Sequence, residues 1–131
     1  LSAWNTCMEL TLDHPGDSLF IRSVSDDGIR VEDTVYRQPI IVSATALITD
    51  WPATSAEGFT EALLQPILDL QPEIVLIGTG RKQVFLPPEL MMFFYRGEVG
   101  FEVMATTAAS RTFNVLISEA RNAVAALLPI Y

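Results

Sequence analysis

Cysteine and histidine are almost absent from this chain of 131 residues, which has one of each, Cys7 and His14. A single cysteine cannot close an internal disulfide, and one cysteine with one histidine cannot supply the spaced ligands of a zinc site. A stapled scaffold is thereby excluded, and no metal and no cofactor is expected. Long apolar runs are also missing. The longest stretch free of charge and proline, residues 40–49, is about half of the ~20 residues that a spanning helix needs. Residues 1–17 carry neither a basic n-region nor an apolar h-region, so a cytoplasmic location without a secretory signal is expected. Basic charge is scarce too: eight Lys and Arg stand against sixteen Asp and Glu, a net charge of −8. All of the excess lies in residues 1–70, where eleven acids face only Arg22, Arg30 and Arg37. Such a surface repels phosphate backbones and anionic lipid, so no nucleic-acid partner and no membrane insertion is expected.

Half of the residues are hydrophobic, which gives ample material to offset chain entropy and excludes a disordered tail. A chain of this length buries roughly two thirds of its unfolded surface, enough for one core. Without repeats, low-complexity blocks or a Gly/Ser linker, one domain over residues 10–131 is expected, preceded by a flexible N-terminal extension over residues 1–9 in which Met8 is a candidate start.

The first half reads as β-structure. Residues 18–24 have strand composition, Asp27-Gly28 supplies a hairpin turn, residues 29–31 pair back, and further strands are expected at 34–36, 40–43 and 46–49. From residue 55 the apolar period becomes helical: Phe59, Leu63, Leu64, Ile67 and Leu70 form one stripe, with Ser55 as the expected N-cap and Pro66 as a kink or early stop. Residues 73–77 read as a buried strand, Pro87-Pro88 opens a helix closed by Gly97, and residues 99–105 alternate as a strand. The last element is expected to be a long amphipathic helix over residues 108–128, with Phe113, Leu116, Ile117, Ala120, Val124, Leu127 and Leu128 on its apolar face. The order contains a βαβ crossover, so strands at 74–77 and 99–105 should run parallel in a mixed sheet. The fold class is a single three-layer α/β domain with a β-rich first half and a long C-terminal helix.

Two stretches follow those parallel strands and should share one sheet edge, the place where open α/β sheets bind ligands. The first is Gly78-Thr79-Gly80-Arg81-Lys82, in which glycines can bring backbone amides close to an anion. It lacks the third glycine and following helix of the dinucleotide fingerprint and the Lys-Ser/Thr of a P-loop, which favours a tight turn over a phosphate cradle. The second runs from Thr106 to Asn114. Its hydroxyls at Thr106, Thr107 and Ser110 are N-cap candidates. Arg111 in the first turn opposes the helix dipole and therefore calls for a carboxylate such as Glu102, or for an anion. One polar pocket lined by Thr79, Arg81, Thr106, Arg111 and Asn114 is expected if the two stretches converge. His14, in Asp13-His14-Pro15-Gly16, reads as a surface turn, and no base and nucleophile pair is spaced for catalysis. The apolar run Met91-Met92-Phe93-Phe94-Tyr95 fills the core or faces a second copy of the chain. Weak self-association and an anionic small molecule thus stay open as partners beside another protein.

Three motifs carry a family resemblance: PEIVLIGTG at residues 72–80, GFEVMAT at 100–106, and the A-A-x-R-T-F-N-V-L-x-x-E-x-R run at 108–121. Together they resemble a family of small domains of unknown function that includes a mitochondrial respiratory complex I assembly factor and an adipogenesis-associated animal protein. The resemblance spans about residues 10–128. It implies a three-layer α/β fold with a mixed sheet, no established catalytic activity and, in the mitochondrial member, assembly of a membrane enzyme through protein contacts. It carries over Gly78, Thr79, Gly80, Glu102, Thr106, Arg111, Thr112, Asn114 and Glu119 as motif positions. Bacterial members resemble A-A-C-R-T where this chain has Ser110, so a reactive thiol shared by the family has no counterpart here. Ser110, with no His or Lys base near it in sequence, is a poor nucleophile. The expected function is a non-catalytic interaction or assembly module; the alternative is a binder or enzyme for a small anionic metabolite at the shared sheet edge.

Overall fold

The computed structural model describes residues 8–9 and 18–130. Cys7, His14 and most of the expected N-terminal extension lie outside the described residues. Among the described residues, two sheets and three α-helices make up the fold. The first sheet is an antiparallel meander of β1 (Met8–Glu9), β2 (Ile21–Ser25), β3 (Gly28–Val31) and β4 (Thr34–Tyr36) in that spatial order. The hairpin between β2 and β3 turns at Asp26-Asp27, with Ser25 paired to Gly28. Gly28 has φ of +134°, and a Cβ there would stand 2.5 Å from the Tyr36 carbonyl oxygen, so only glycine fits.

The second sheet contains β5 (Ile40–Ser43), β6 (Leu47–Ile48), β7 (Ile74–Gly78), β8 (Gly100–Met104) and β9 (Ala123–Leu127), ordered β6-β5-β9-β7-β8. Strand β7 runs parallel to both β8 and β9, and β5 runs antiparallel to β9 and β6. The expected parallel pair is present, with Ile74 opposite Gly100 and Gly78 opposite Met104. Helix α1 (Glu61–Asp69), helix α2 (Pro88–Arg96) and helix α3 (Thr106–Ser118) complete the chain.

Alternation along the central strands divides the core in two. Ile41, Val75, Ile77, Val124 and Ala126 face α1 and α2, meeting Trp51, Phe59, Leu64, Ile67 and Phe94. Ile40, Val42, Leu76, Ala125 and Leu127 face the other way, toward Phe113 and Ile117 of α3 and Ile21, Val24 and Ile29 of the small sheet. Helices on both faces of the mixed sheet give the three-layer α/β architecture. Phe94 and Phe113 are fully buried, each worth roughly 1.5–3 kcal/mol by transfer from water.

The last element differs most from its sequence reading. The helix expected over 108–128 ends at Ser118, and residues 123–127 form the central strand β9. An apolar run wholly buried in a sheet shows no strand alternation, and three of the five β9 residues are alanine, a poor strand former. The helix stops by a hydrogen-bonded reversal: Arg121 N–H donates to the Leu116 carbonyl at 2.8 Å and Ala120 N–H to that of Ile117 at 2.9 Å. Ala120 takes the left-handed position, φ +60°, where glycine is the usual signal.

One further boundary moves, and the expected close of α2 at Gly97 holds. The helix expected from Ser55 begins at Glu61, capped by Thr60, whose Oγ1 accepts from Leu63 N–H at 3.2 Å; Ser55 instead precedes a short 3-10 turn over Ala56–Gly58 and makes no side-chain cap. Helix α1 continues through Pro66. Gly97 ends α2 with ordinary φ, and Glu98 takes the left-handed position after it.

Candidate functional site

Strands β7 and β8 are parallel, so their carboxyl ends lie together, and the two predicted stretches do meet there. Thr106 is the joint. Its Oγ1 donates to the Leu128 carbonyl at 2.6 Å and accepts from Gly80 N–H at 2.9 Å, while its own N–H donates to the Gly80 carbonyl at 2.9 Å. Thr106 therefore ties the β7 loop, the start of α3 and the segment after β9 into one piece. It does not cap the helix; the cap position is Ala105 and carries no side-chain bond. Gly78 is required by the same closeness, because a Cβ there would stand 2.8 Å from Leu127 Cδ2 and 2.9 Å from Thr106 Cα.

The amides of Thr79 and Gly80 are consumed within the fold. Thr79 N–H donates to the Met104 carbonyl at 2.9 Å and Gly80 N–H to Thr106. Thr79 Oγ1 donates to the Lys82 carbonyl at 2.7 Å and accepts from Val84 N–H at 3.0 Å. A phosphate cradle needs such amides pointing at a ligand. Arg81 forms an ion pair with Asp26 at the tip of the β2–β3 hairpin, linking the two sheets. This partner lies 55 residues away in sequence, beyond the reach of any local motif.

A cleft of about 630 Å³ lies beside this turn, lined by Thr79, Gly80, Arg81 and Lys82 together with Thr54, Ser55 and Glu57 from the loop before α1, and by Pro129 after β9. Lys82 makes no ion pair with any described residue. Sequence reasoning took Ser55 for a helix cap and missed its place here; the cluster Pro52-Ala53-Thr54-Ser55 was the available sign of a loop.

The remaining predicted residues do not line that cleft. Asn114 is fully buried: its Oδ1 accepts from Ile21 N–H at 3.0 Å and its Nδ2 donates to the Ile21 carbonyl at 2.7 Å. Ser110 is fully buried as well, and its hydroxyl has no hydrogen-bond partner among the described residues. Arg111 is exposed on α3. Glu102 lies on β8 and lines a second groove of about 540 Å³ with Phe85, Tyr95 and Phe101. The expected single pocket of Thr79, Arg81, Thr106, Arg111 and Asn114 is thus divided. Thr106, Ser110 and Asn114 belong to a buried helix stripe of residues 106, 109, 110, 113, 114 and 117, whose polar members hid its continuity. Among the described residues, no group of three or more His, Cys, Asp or Glu is placed to hold a metal, and no helix is long and apolar enough to cross a membrane.

At the opposite end of the sheet, Arg121 grips Glu73 with two hydrogen bonds, Nε to Oε1 at 3.2 Å and Nη2 to Oε2 at 3.1 Å. This guanidinium, helped by the Asn122 amide, holds the Glu73 carboxyl below its ordinary value, and the carboxylate in turn raises Arg121.

The fold and these clefts define a small three-layer α/β domain whose sheet-end turn is locked by its own backbone. The chain belongs to the family described as "Protein of unknown function (DUF498/DUF598)", matched over residues 21–128. A 13 kDa major membrane protein of Francisella tularensis is 34% identical over 66% of this chain and 72% of its own length. In Xenopus tropicalis, NADH dehydrogenase [ubiquinone] 1 alpha subcomplex assembly factor 3 is 32% identical over 85% of this chain; the chain spans 61% of that relative's length. A crystal structure of a Bordetella parapertussis protein superposes with TM-score 0.81 at 35% identity, covering 87% of this chain and 98% of that one. The family read from the three sequence motifs is the one found.

Proposed function

We propose that this domain is a non-catalytic interaction module that acts in assembly through protein contacts. The observation that carries the reading is the similarity to a relative named an assembly factor, over 85% of this chain. The committed state of the sheet-end turn supports it, since the hydroxyls of Thr79 and Thr106 are engaged with the protein's own backbone. A cytoplasmic location is part of the proposal, and cell fractionation is its direct test because another relative is named a membrane protein.

Photo-crosslinking residues introduced one at a time at exposed positions, Asp26, Phe85, Tyr95 and Val115, test the module reading in living cells. A discrete protein adduct from at least one position is expected. No adduct from any of the four overturns it.

A second reading, a binder or enzyme for a small anionic metabolite, is favoured by one observation: Lys82, without an ion pair among the described residues, lines the 630 Å³ cleft beside Ser55. A thermal-shift panel of phosphates and carboxylates on wild type, Arg81→Ala and Lys82→Ala tests it, because a ligand that binds only the native state raises its melting temperature. Stabilisation of the wild type that Lys82→Ala abolishes supports this reading, and a flat panel removes it.

A further inference from the structure

From the open edge of the central sheet we infer that β8 takes up an extended segment of a partner protein as an added strand, one with apolar residues at alternate positions and Lys or Arg between them. The inference rests on the module reading and names the surface and the partner's chemistry.

Strand β8 is the last strand of its sheet, and among the described residues it pairs only with β7. The Met104 carbonyl points inward, accepting from Thr79 N–H. By alternation Gly100 and Glu102 also direct their backbone groups toward β7, which leaves those of Phe101 and Val103 pointing away from the sheet. The Val103 carbonyl accepts only a side chain, Gln83 Nε2 at 3.0 Å. An exposed edge of this kind is a template for another strand, and natural proteins usually blunt it with proline, a bulge or charge. Here the carboxylate of Glu102 and the Gln83 side chain do so; a glutamine side chain can swing away, and a basic partner residue turns the charge into an attraction.

The flank of this edge is apolar. Phe101 stacks on Phe94 with ring centroids 5.0 Å apart and meets Tyr95 edge-on at 5.7 Å. The 540 Å³ groove beside it is walled by Phe85, Met91, Tyr95 and Val103, and Phe85 is 84% exposed. Phe101 and Val103 pack toward the α1 and α2 side of the sheet, and Glu102, one residue between them, lies on the other face. Among the described residues it is the only charged one that borders the groove.

A strand laid along β8 therefore meets apolar side chains on one face and a carboxylate on the other, which sets the alternating apolar and basic pattern. The same charge argues against a second copy as the occupant. Antiparallel pairing of two β8 strands over their full length sets Glu102 opposite Glu102, between chains that each carry a net charge of −8.

The test titrates labelled nine-residue peptides of alternating valine and lysine, of alternating valine and glutamate, and of the valine-lysine composition in scrambled order, into the full chain at physiological salt. The alternating valine-lysine peptide is expected to bind at least tenfold more tightly than either control. Val103→Pro removes an outward N–H without touching the β7 ladder, so its melting temperature should fall no further than that of Val103→Ala, which loses the same packing, while its binding falls at least tenfold below that of Val103→Ala. Glu102→Lys should reverse the preference toward the glutamate peptide. A valine-lysine peptide N-methylated at alternate residues repeats the proline test from the ligand side, one methylation register abolishing binding and the other sparing it.

Equal binding of all three peptides, binding indifferent to both Val103→Pro and N-methylation, or no binding overturns the inference. A dimer of the free chain that Val103→Pro dissociates assigns the edge to a second copy and overturns it as well. Photo-adducts from Asp26 or Val115 with none from Phe85 or Tyr95 overturn the edge proposal and leave the module reading standing, whereas adducts from none of the four remove the module reading itself.

Discussion

The carboxamide of Asn114 and the backbone of Ile21 exchange two hydrogen bonds inside the core, at 3.0 and 2.7 Å, across 93 residues of sequence. The amide side chain bonds both the N–H and the carbonyl of Ile21 beside an irregularity in the β2–β3 pairing. Helix α3 is thereby fixed to the small sheet by polar contact as well as by Phe113 and Ile117.

Removing that side chain leaves a buried N–H and a buried carbonyl unsatisfied. Asn114→Ala is expected to lose about 2–4 kcal/mol of stability by chemical denaturation. Asn114→Asp retains the acceptor, loses the donor and buries a charge, so it should be at least as damaging at neutral pH and improve as the pH falls. A change below about 1 kcal/mol in both variants contradicts the clamp.

How far the sequence carries is clearest along α3. The spacing of Phe113 and Ile117 marks a helix, yet the buried face also contains Thr106, Ser110 and Asn114, and polar residues read in one dimension look like a site. The partners of Thr106 and Asn114, namely Leu128, Gly80 and Ile21, come from three distant segments that no local pattern links to them. The strands of the first half, the glycine turn and the parallel pair β7–β8 were legible, because hairpin chemistry and alternation are local signals. Strand β9 was not: an alanine-rich, wholly buried strand has the composition of a helix and lacks any periodicity to argue otherwise.

Gly78 and Thr106 should behave as parts of a mortise. Gly78→Ala forces a methyl group to within 2.9 Å of the Thr106 backbone, where neither α3 nor β9 can yield cheaply, and about 1–3 kcal/mol of destabilisation is expected. Thr106→Val keeps the shape, strands the Leu128 carbonyl and the Gly80 amide, and should cost about as much. Thermal melts decide it: unchanged stability in both variants would return these residues to the alternative reading of their motif, ligand binding.

The Glu73–Arg121 pair predicts a particular pH dependence. Because the Glu73 pKa is lowered in the folded state, the stability it confers is present above the unfolded value of about 4.5 and is lost as the pH falls through the folded one. The raised Arg121 pKa contributes below its unfolded value and matters only in strong alkali. Melting curves of wild type and Glu73→Gln should therefore be separated at pH 6 and draw together as the pH falls below the unfolded value of about 4.5. Both side chains are about half exposed, so 0.5 M salt should shrink the gap at pH 6. A gap that widens on acidification contradicts the assignment.

Ala120 offers the opposite test, a substitution that should improve the fold. It occupies the left-handed turn that ends α3 and releases the chain into β9, with φ of +60°, a conformation that costs a non-glycine residue roughly 1–2 kcal/mol. Glycine relieves that strain but adds freedom to the unfolded chain, worth about 0.4–1 kcal/mol in the other direction. The net expectation for Ala120→Gly is a gain of about 0.5–1 kcal/mol, read as a higher denaturation midpoint with unchanged slope. Ala120→Val should lose more than the glycine variant gains, since a β-branched side chain fits this region least. If the helix instead continued through residues 119–128, as the hydrophobic stripe alone suggests, glycine at position 120 would sit mid-helix and cost about 1 kcal/mol. The sign of one measured difference therefore separates the two structures.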